Sequence, residues 1–149
     1  MRLYTIGFTK KSAREFFDDL LRPSGAKRVI DVRLRPSSQL AGFAKVSKSE
    51  GDFQFLLRRL CDLDYAHVPS LAPSDELFKS YRAGDITWDE YSERYLQLLA
   101  ERRVERVLDR GLFDDAVLLC SEDSPERCHR RLAAEYLRRQ WGEVEIVHL

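Results

Sequence analysis

No apolar run in the chain approaches the roughly 20 residues that a membrane-spanning helix needs, so an integral membrane protein is not expected. A surplus of positive charge is missing too, since 25 basic residues balance 25 acidic ones. A general nucleic-acid binder needs such a surplus, and only a local basic patch stays open. Cysteine is scarce and odd in number, at positions 61, 120 and 128, without the spacing of a disulfide framework. That usage fits a reduced, cytoplasmic protein. Met1-Arg2-Leu3-Tyr4-Thr5-Ile6-Gly7 begins as a strand and not as a signal peptide. Internal repeats, low-complexity tracts and linkers are lacking as well.

What is present is enough for a folded core. The 149 residues are 44% hydrophobic, which excludes a disordered chain and suits one domain over residues 1–149. Residues 3–6 read as a short strand closed by Gly7, where the backbone must turn or approach a ligand. Ser12-Ala13-Arg14-Glu15 matches a capping box. Ala13, Phe16, Phe17, Leu20 and Leu21 follow at helical spacing, until Pro23 and Gly25. Arg28-Val29-Ile30-Asp31-Val32-Arg33 reads as a second strand whose apolar flanks bury Asp31 and require a partner for it. Residues 37–51 carry Ser, Gly and Lys with few anchors and read as a loop. Phe53, Leu56, Leu57 and Leu60 mark a helix, and residues 65–68 a short third strand. Residues 76–82 form a short helix ended by Gly84. Thr87-Trp88-Asp89-Glu90 is a second capping box, with Trp88, Tyr91, Tyr95, Leu98 and Leu99 turned inward and helix continuing, with a break, towards residue 112. Residues 116–120 and 144–149 supply the last two strands.

Strands alternating with helices predict an α/β fold. The expected architecture is three-layered, a mostly parallel five-stranded sheet with helices on both faces. Strands 1, 2 and 4 are the most apolar and belong in the centre. Ligands of such sheets bind beyond the strands' C-terminal ends. Three polar segments converge there: Gly7-Phe8-Thr9, residues 33–38, and residues 120–130.

The third segment is the richest. Ala116-Val117-Leu118-Leu119-Cys120 leads through Ser121-Glu122-Asp123 to Ser124-Pro125, a good N-cap followed by a residue suited to the first helical position. On a helix over residues 125–141, at about 100° per residue, Leu132, Ala133, Tyr136, Leu137 and Trp141 define the buried arc. His129 falls near the middle of that arc. Arg130 and Glu126 lie on its inward half, Cys128 at its edge, while Arg127 and Arg131 face water.

Each candidate has a chemical and a packing reading. Cys120 is either a nucleophile near a helix N-terminus or a small residue closing an apolar strand. His129 is either a general acid or base or a hydrogen-bonded core histidine. Arg33, Arg35 and Arg130 either clamp an anion, helped by Ser37, Gly7 and Thr9, or pair with Asp31 and Glu122. A metal held by Cys120, Cys128, His129 and Glu122 is not expected. The spacing matches no common zinc pattern, and adjacent helical residues point about 100° apart. Arg102, Arg103, Arg106, Arg110, Arg131, Arg138 and Arg139 are interspersed with acids and read as solvated surface.

Together, Tyr4-Thr5-Ile6-Gly7, Ile30-Asp31-Val32-Arg33 with Pro36 and Ser37, Leu119-Cys120-x-Glu122 and Cys128-His129-Arg130 resemble the Domain of Unknown Function 488 family (YeaO-like proteins). The resemblance implies a fold and a candidate site, and no activity. Phe8 stands where that family usually has His, and Leu71-Ala72-Pro73 replaces its usual Leu-Gly-Gly. A fainter likeness, to rhodanese domains, implies a nucleophilic strand-end cysteine. Here, though, the loop after Cys120 is acidic and lacks glycine.

The expected function is thus an α/β enzyme acting on a small anionic, phosphorylated or nucleotide-like ligand. Arg33, Arg35 and Arg130 would hold the anion, His129 would move a proton, and Glu122 would orient His129 or an Arg. The alternatives are a non-catalytic module for nucleic-acid ends or an acidic partner, and sulfur chemistry at Cys120. The residues name no cofactor and no oligomeric state.

Overall fold

The structure, a computed structural model, describes residues 1–36, 43 and 51–149. Five short strands form one sheet: β1 (Arg2–Gly7), β2 (Arg28–Asp31), β3 (Asp64–His67), β4 (Ala116–Cys120) and β5 (Glu145–His148). Their order is β3-β2-β4-β1-β5, and every pair is parallel. The three apolar strands β1, β2 and β4 occupy the centre, where both faces are covered.

Alternation along the strands divides the core in two. Leu3, Ile30, Ala116, Leu118 and Cys120 face one layer, with α3 (Asp75–Arg82), α4 (Trp88–Arg102), α5 (Val104–Val107) and α6 (His129–Trp141). Tyr4, Ile6, Val29, Val117 and Leu119 face the other. There α1, π-helical over Glu15–Leu21 and α-helical over Arg22–Ser24, packs with α2 (Asp52–Cys61). Phe16, Phe17 and Phe53 meet edge to face in that layer.

The capping signals act as expected in two places. The Ser12 hydroxyl accepts from the Glu15 N–H at 3.1 Å. Thr87 and Glu90 bond reciprocally at the start of α4. Pro23 sits inside the last turn of α1, and the chain leaves it at Gly25, φ +77°. The helix expected to run on towards residue 112 stops at Arg102, because Arg103 adopts φ +52°; α5 and a 3₁₀ turn at Arg110–Phe113 follow. Among the described residues, no helix is long and apolar enough to cross a membrane.

The connections leaving β1 and β2 pass on the α1–α2 face, and the one leaving β4 passes on the α6 face. The chain therefore parts on either side of β4. Such a parting opens a crevice beyond the strands' C-terminal ends.

Candidate functional site at the end of the fourth strand

The register sets Gly7 beside Cys120 at the rim of the sheet. A Cβ on Gly7 would lie 1.6 Å from the Glu122 carbonyl oxygen and 2.8 Å from Arg130 Nη1. The close approach that requires glycine here is therefore made by the protein's own backbone. Thr9 strengthens the same crossing, since both its N–H and its hydroxyl donate to the Ser121 carbonyl, at 3.0 and 2.6 Å. Arg130, fully buried, closes it from beneath. Its Nη1 donates to the Glu122 carbonyl, its Nη2 to the Asp123 carbonyl at 3.2 Å, and its Nε to the Thr5 hydroxyl at 3.4 Å.

The helix expected from residue 125 begins at His129. Ser124 and Pro125 make a turn instead: the Ser124 hydroxyl accepts from the Glu126 N–H, and the Cys128 N–H donates to the Pro125 carbonyl. The later start puts His129 at the crevice and Arg130 beneath the 121–123 crossing. Both are buried, as the helical wheel predicts, whereas Glu126 is exposed and Arg131 half-buried. Cys128 is the N-cap, with extended φ −134° and ψ 136°. Its thiol and the His129 ring are thus not splayed as successive helical residues would be.

His129 Nε2 lies 2.7 Å from the Val32 carbonyl oxygen, and Cys120 Sγ lies 3.6 Å from His129 Nδ1 and 3.8 Å from His129 Nε2. A carbonyl can only accept, so Nε2 carries a proton, while the Cys120 sulfur lies beside the ring, nearly equidistant from its two nitrogens. The ring of Tyr95 packs edge-on against the imidazole at 5.6 Å. The Cys120 thiol is held below its ordinary range, chiefly by the Cys128 thiol beside it. Arg130 and the N–H groups of Ser121 and Glu122 add to this, against the opposing effect of burial. Burial pushes the Cys128 thiol well up, and its place beside Cys120 reinforces that.

Above these groups opens a cleft of about 380 Å³. Its floor is Cys120, Cys128 and His129, and its wall is aromatic: Phe78, Tyr81, Trp88 and Tyr91. Trp88 stacks on Tyr91 at 5.4 Å, and Tyr81 meets Tyr91 at 4.8 Å. Arg35, Arg82 and Arg127 stand exposed at the mouth. A wider hollow of about 620 Å³ lies at the opposite end of the sheet, around Met1, Arg2, Asp115 and Glu145. That hollow is open, and in its lining Arg2 pairs with Glu145 and Asp115 with Lys27.

The structure thus gathers Cys120, Glu122, His129, Arg33 and Arg35 around one cleft. Glu122 is exposed at the mouth, and it is Val32 rather than Glu122 that orients His129. Arg33 is buried and forks onto Asp31, at 2.9 and 2.7 Å, while Tyr65 donates to Asp31 at 2.6 Å. Arg35 pairs with Asp75 on the surface. Gly7, Thr9 and Arg130 lie behind the 121–123 crossing and do not line the cleft, because the protein's own carbonyls take the place expected for an anion. Ser37 and most of the loop expected over 37–51 lie outside the described residues. Phe8 is buried in the α1–α2 layer with the Arg33 guanidinium 5.0 Å from its ring centre, so position 8 does not face the cleft.

Three groups could hold a metal: the donor atoms of Cys120, Cys128 and His129 all lie within 4.8 Å of one another. The aromatic wall, Arg82 and Arg127 are what sequence reasoning missed. The signal for the wall, an aromatic stripe at helical spacing on α4, reads equally well as core. A family model described as Domain of unknown function DUF488 matches residues 12–137. No curated protein and no solved structure matches the chain.

Proposed function

The chain belongs to the DUF488 family, whose description assigns no reaction, and from the chemistry of the cleft we propose an enzyme acting on a flat, anionic, nucleotide-like ligand. One observation carries this reading: an aromatic wall, a cationic mouth and a floor of Cys120, Cys128 and His129 share one cleft. Trp88 and Tyr81 offer faces to a planar ring, as stacking on nucleobases uses. Arg35, Arg82 and Arg127 offer guanidinium forks to a phosphate or carboxylate. His129 Nδ1 is the atom that moves a proton, since Nε2 is occupied by Val32. An imidazole bordering an open cleft that also holds arginines supports an enzyme over a passive module.

The chain has two tryptophans, and Trp141 is engaged away from the cleft by Phe113 and the Glu105 carbonyl. Trp141→Phe therefore leaves Trp88 as the reporter. Adenosine monophosphate is expected to quench its fluorescence saturably, and inorganic phosphate alone is not. Products from a panel of nucleoside mono- and diphosphates, resolved by chromatography, test the chemistry. His129→Ala should bind and convert nothing. Absence of saturable quenching would sink the reading. Quenching without conversion of any nucleotide would favour the binding module.

A second reading has its own support in the lowered Cys120 thiol. There Cys120 is the nucleophile of a sulfur chemistry. It predicts fast alkylation of Cys120 by iodoacetamide at neutral pH, and slow labelling removes it.

A further inference from the structure

We propose that Cys120, Cys128 and His129 bind a zinc ion whose fourth position opens into the cleft. This rests on reading the cleft as an enzyme's site, and it replaces the proton-moving role given above to His129 Nδ1, since that atom would hold the ion.

The geometry points this way in four respects. The three donor atoms lie within 4.8 Å of one another, and all three residues are buried. Cys120 Sγ and His129 Nδ1 are 3.6 Å apart. Bond lengths of about 2.3 Å to sulfur and about 2.0 Å to nitrogen, at a tetrahedral angle, place two such ligands about 3.6 Å apart. The imidazole is already in the tautomer a metal needs. Its Nε2–H is held by the Val32 carbonyl, the kind of partner that orients metal-binding histidines, which leaves Nδ1 as the ligand atom. The ring has to turn to aim Nδ1 at an ion shared with the thiols, because Cys120 Sγ lies beside it at 3.6 Å from Nδ1 and 3.8 Å from Nε2. Finally, Cys128 is in extended backbone ahead of the helix, so the spacing argument against a shared ion does not apply to it.

The donor set chooses the ion. Two thiolates and an imidazole suit zinc and disfavour calcium or magnesium, which take oxygen ligands. Two thiolates also neutralise the ion's charge in a buried place. Three protein ligands leave one position, and all three residues line the cleft, so a water or a ligand oxygen completes the tetrahedron from that side. This accounts for Cys128, which the nucleophile reading leaves without a task.

The test uses the full chain, reduced and stripped of metal, with cobalt(II) as probe. One equivalent is expected to bind with a thiolate-to-cobalt charge-transfer band and tetrahedral visible bands. Cys120→Ser, Cys128→Ser and His129→Ala should each lose or strongly weaken these bands while circular dichroism shows a folded protein. Cys61→Ser is the control, since Cys61 packs in the opposite layer and donates to the Phe17 carbonyl. Should a variant not fold, the wild type still decides: zinc should block alkylation of Cys120 and Cys128 while Cys61 labels. No charge-transfer band in the wild type, or a band that survives Cys120→Ser, overturns the site. Quenching of Trp88 by adenosine monophosphate is read separately in metal-free protein. Quenching without a cobalt band overturns the metal alone, and a cobalt band without quenching overturns the nucleotide reading alone.

Discussion

Two sets of arginines surround the ends of the same strands, and burial gives them opposite tasks. Arg33 and Arg130 are 3% and 0% exposed, and the protein itself takes up their guanidinium groups. Arg35, Arg82 and Arg127 are exposed at the mouth of the cleft. A buried cation must be paired or hydrogen-bonded by its own fold, whereas an exposed one stays within reach of a ligand. The buried set therefore builds the frame, and the exposed set is the one an anion can meet.

The frame should break first at Gly7. An alanine Cβ would meet the Glu122 carbonyl at 1.6 Å, and that backbone is pinned from both sides by Thr9 and Arg130. Gly7→Ala is expected to cost more than about 4 kcal/mol, at the exceptional end for single substitutions, or to abolish folding. Urea unfolding measures this, and a cost near 1 kcal/mol would mean that the crossing yields. No equally severe site is expected at the mouth.

The next test sets two ion pairs against each other. Asp31→Asn removes the carboxylate from the buried Arg33, and losing one partner of a buried pair costs roughly 3–5 kcal/mol. Asp75→Asn does the same to the exposed Arg35, where the expected loss is below about 1 kcal/mol. Equal losses in urea would erase the distinction between frame and mouth.

These contrasts show why the sequence reveals the architecture better than the site. The unbroken apolar run of residues 116–120 and the capping box at Thr87 are local signals, and the fold keeps both. Burial of Asp31 was legible from its apolar flanks. Arginine near a strand end is not decisive by itself: Arg33 and Arg35 differ only in which side of the rim they reach, and that depends on β3 and α3, more than 25 residues on. Ser124-Pro125 is a sound local start signal, yet the helix starts later, with His129 at the crevice and Arg130 under the 121–123 crossing in its first turn. Trp88 and Tyr91 lie one helical turn apart. Tyr91 is buried and Trp88 only half-buried, because α3 leaves a gap above α4 that no periodicity encodes.

At the mouth the effect should move from stability to binding. Arg82→Ala removes a guanidinium that is exposed and stacked on Phe78, at 5.6 Å. Its unfolding free energy should stay within about 0.5 kcal/mol of the wild type. Its affinity for adenosine monophosphate, read from Trp88 fluorescence, should fall about tenfold, the equivalent of one lost charge-assisted contact. A destabilised Arg82→Ala protein with unchanged affinity would place Arg82 in the frame.

The smallest effect expected is a pH dependence at the edge of the frame. His148 Nδ1 lies 2.6 Å from the Thr5 hydroxyl, whose oxygen also accepts from Arg130 Nε. With Arg130 donating, the hydroxyl gives its own proton to His148, which must then be neutral at Nδ1. Burial first, then the positive charge of Arg130, lowers the His148 pKa below its usual 6.5; Arg131 acts in the same direction and Glu135 against it. The folded protein therefore takes up this proton less readily than the unfolded chain. The contribution is complete above the unfolded value near 6.5, and it is lost as pH falls through that value towards the lower folded one. Because His148 keeps much of its surface in water, its burial is partial and the loss should be slight. It is best read as the difference between wild type and His148→Gln in urea midpoints from pH 7.5 to 5. A gap that widens towards neutral pH and closes in acid supports the chain from Arg130 through Thr5 to His148. A gap that does not change with pH would detach His148 from the frame.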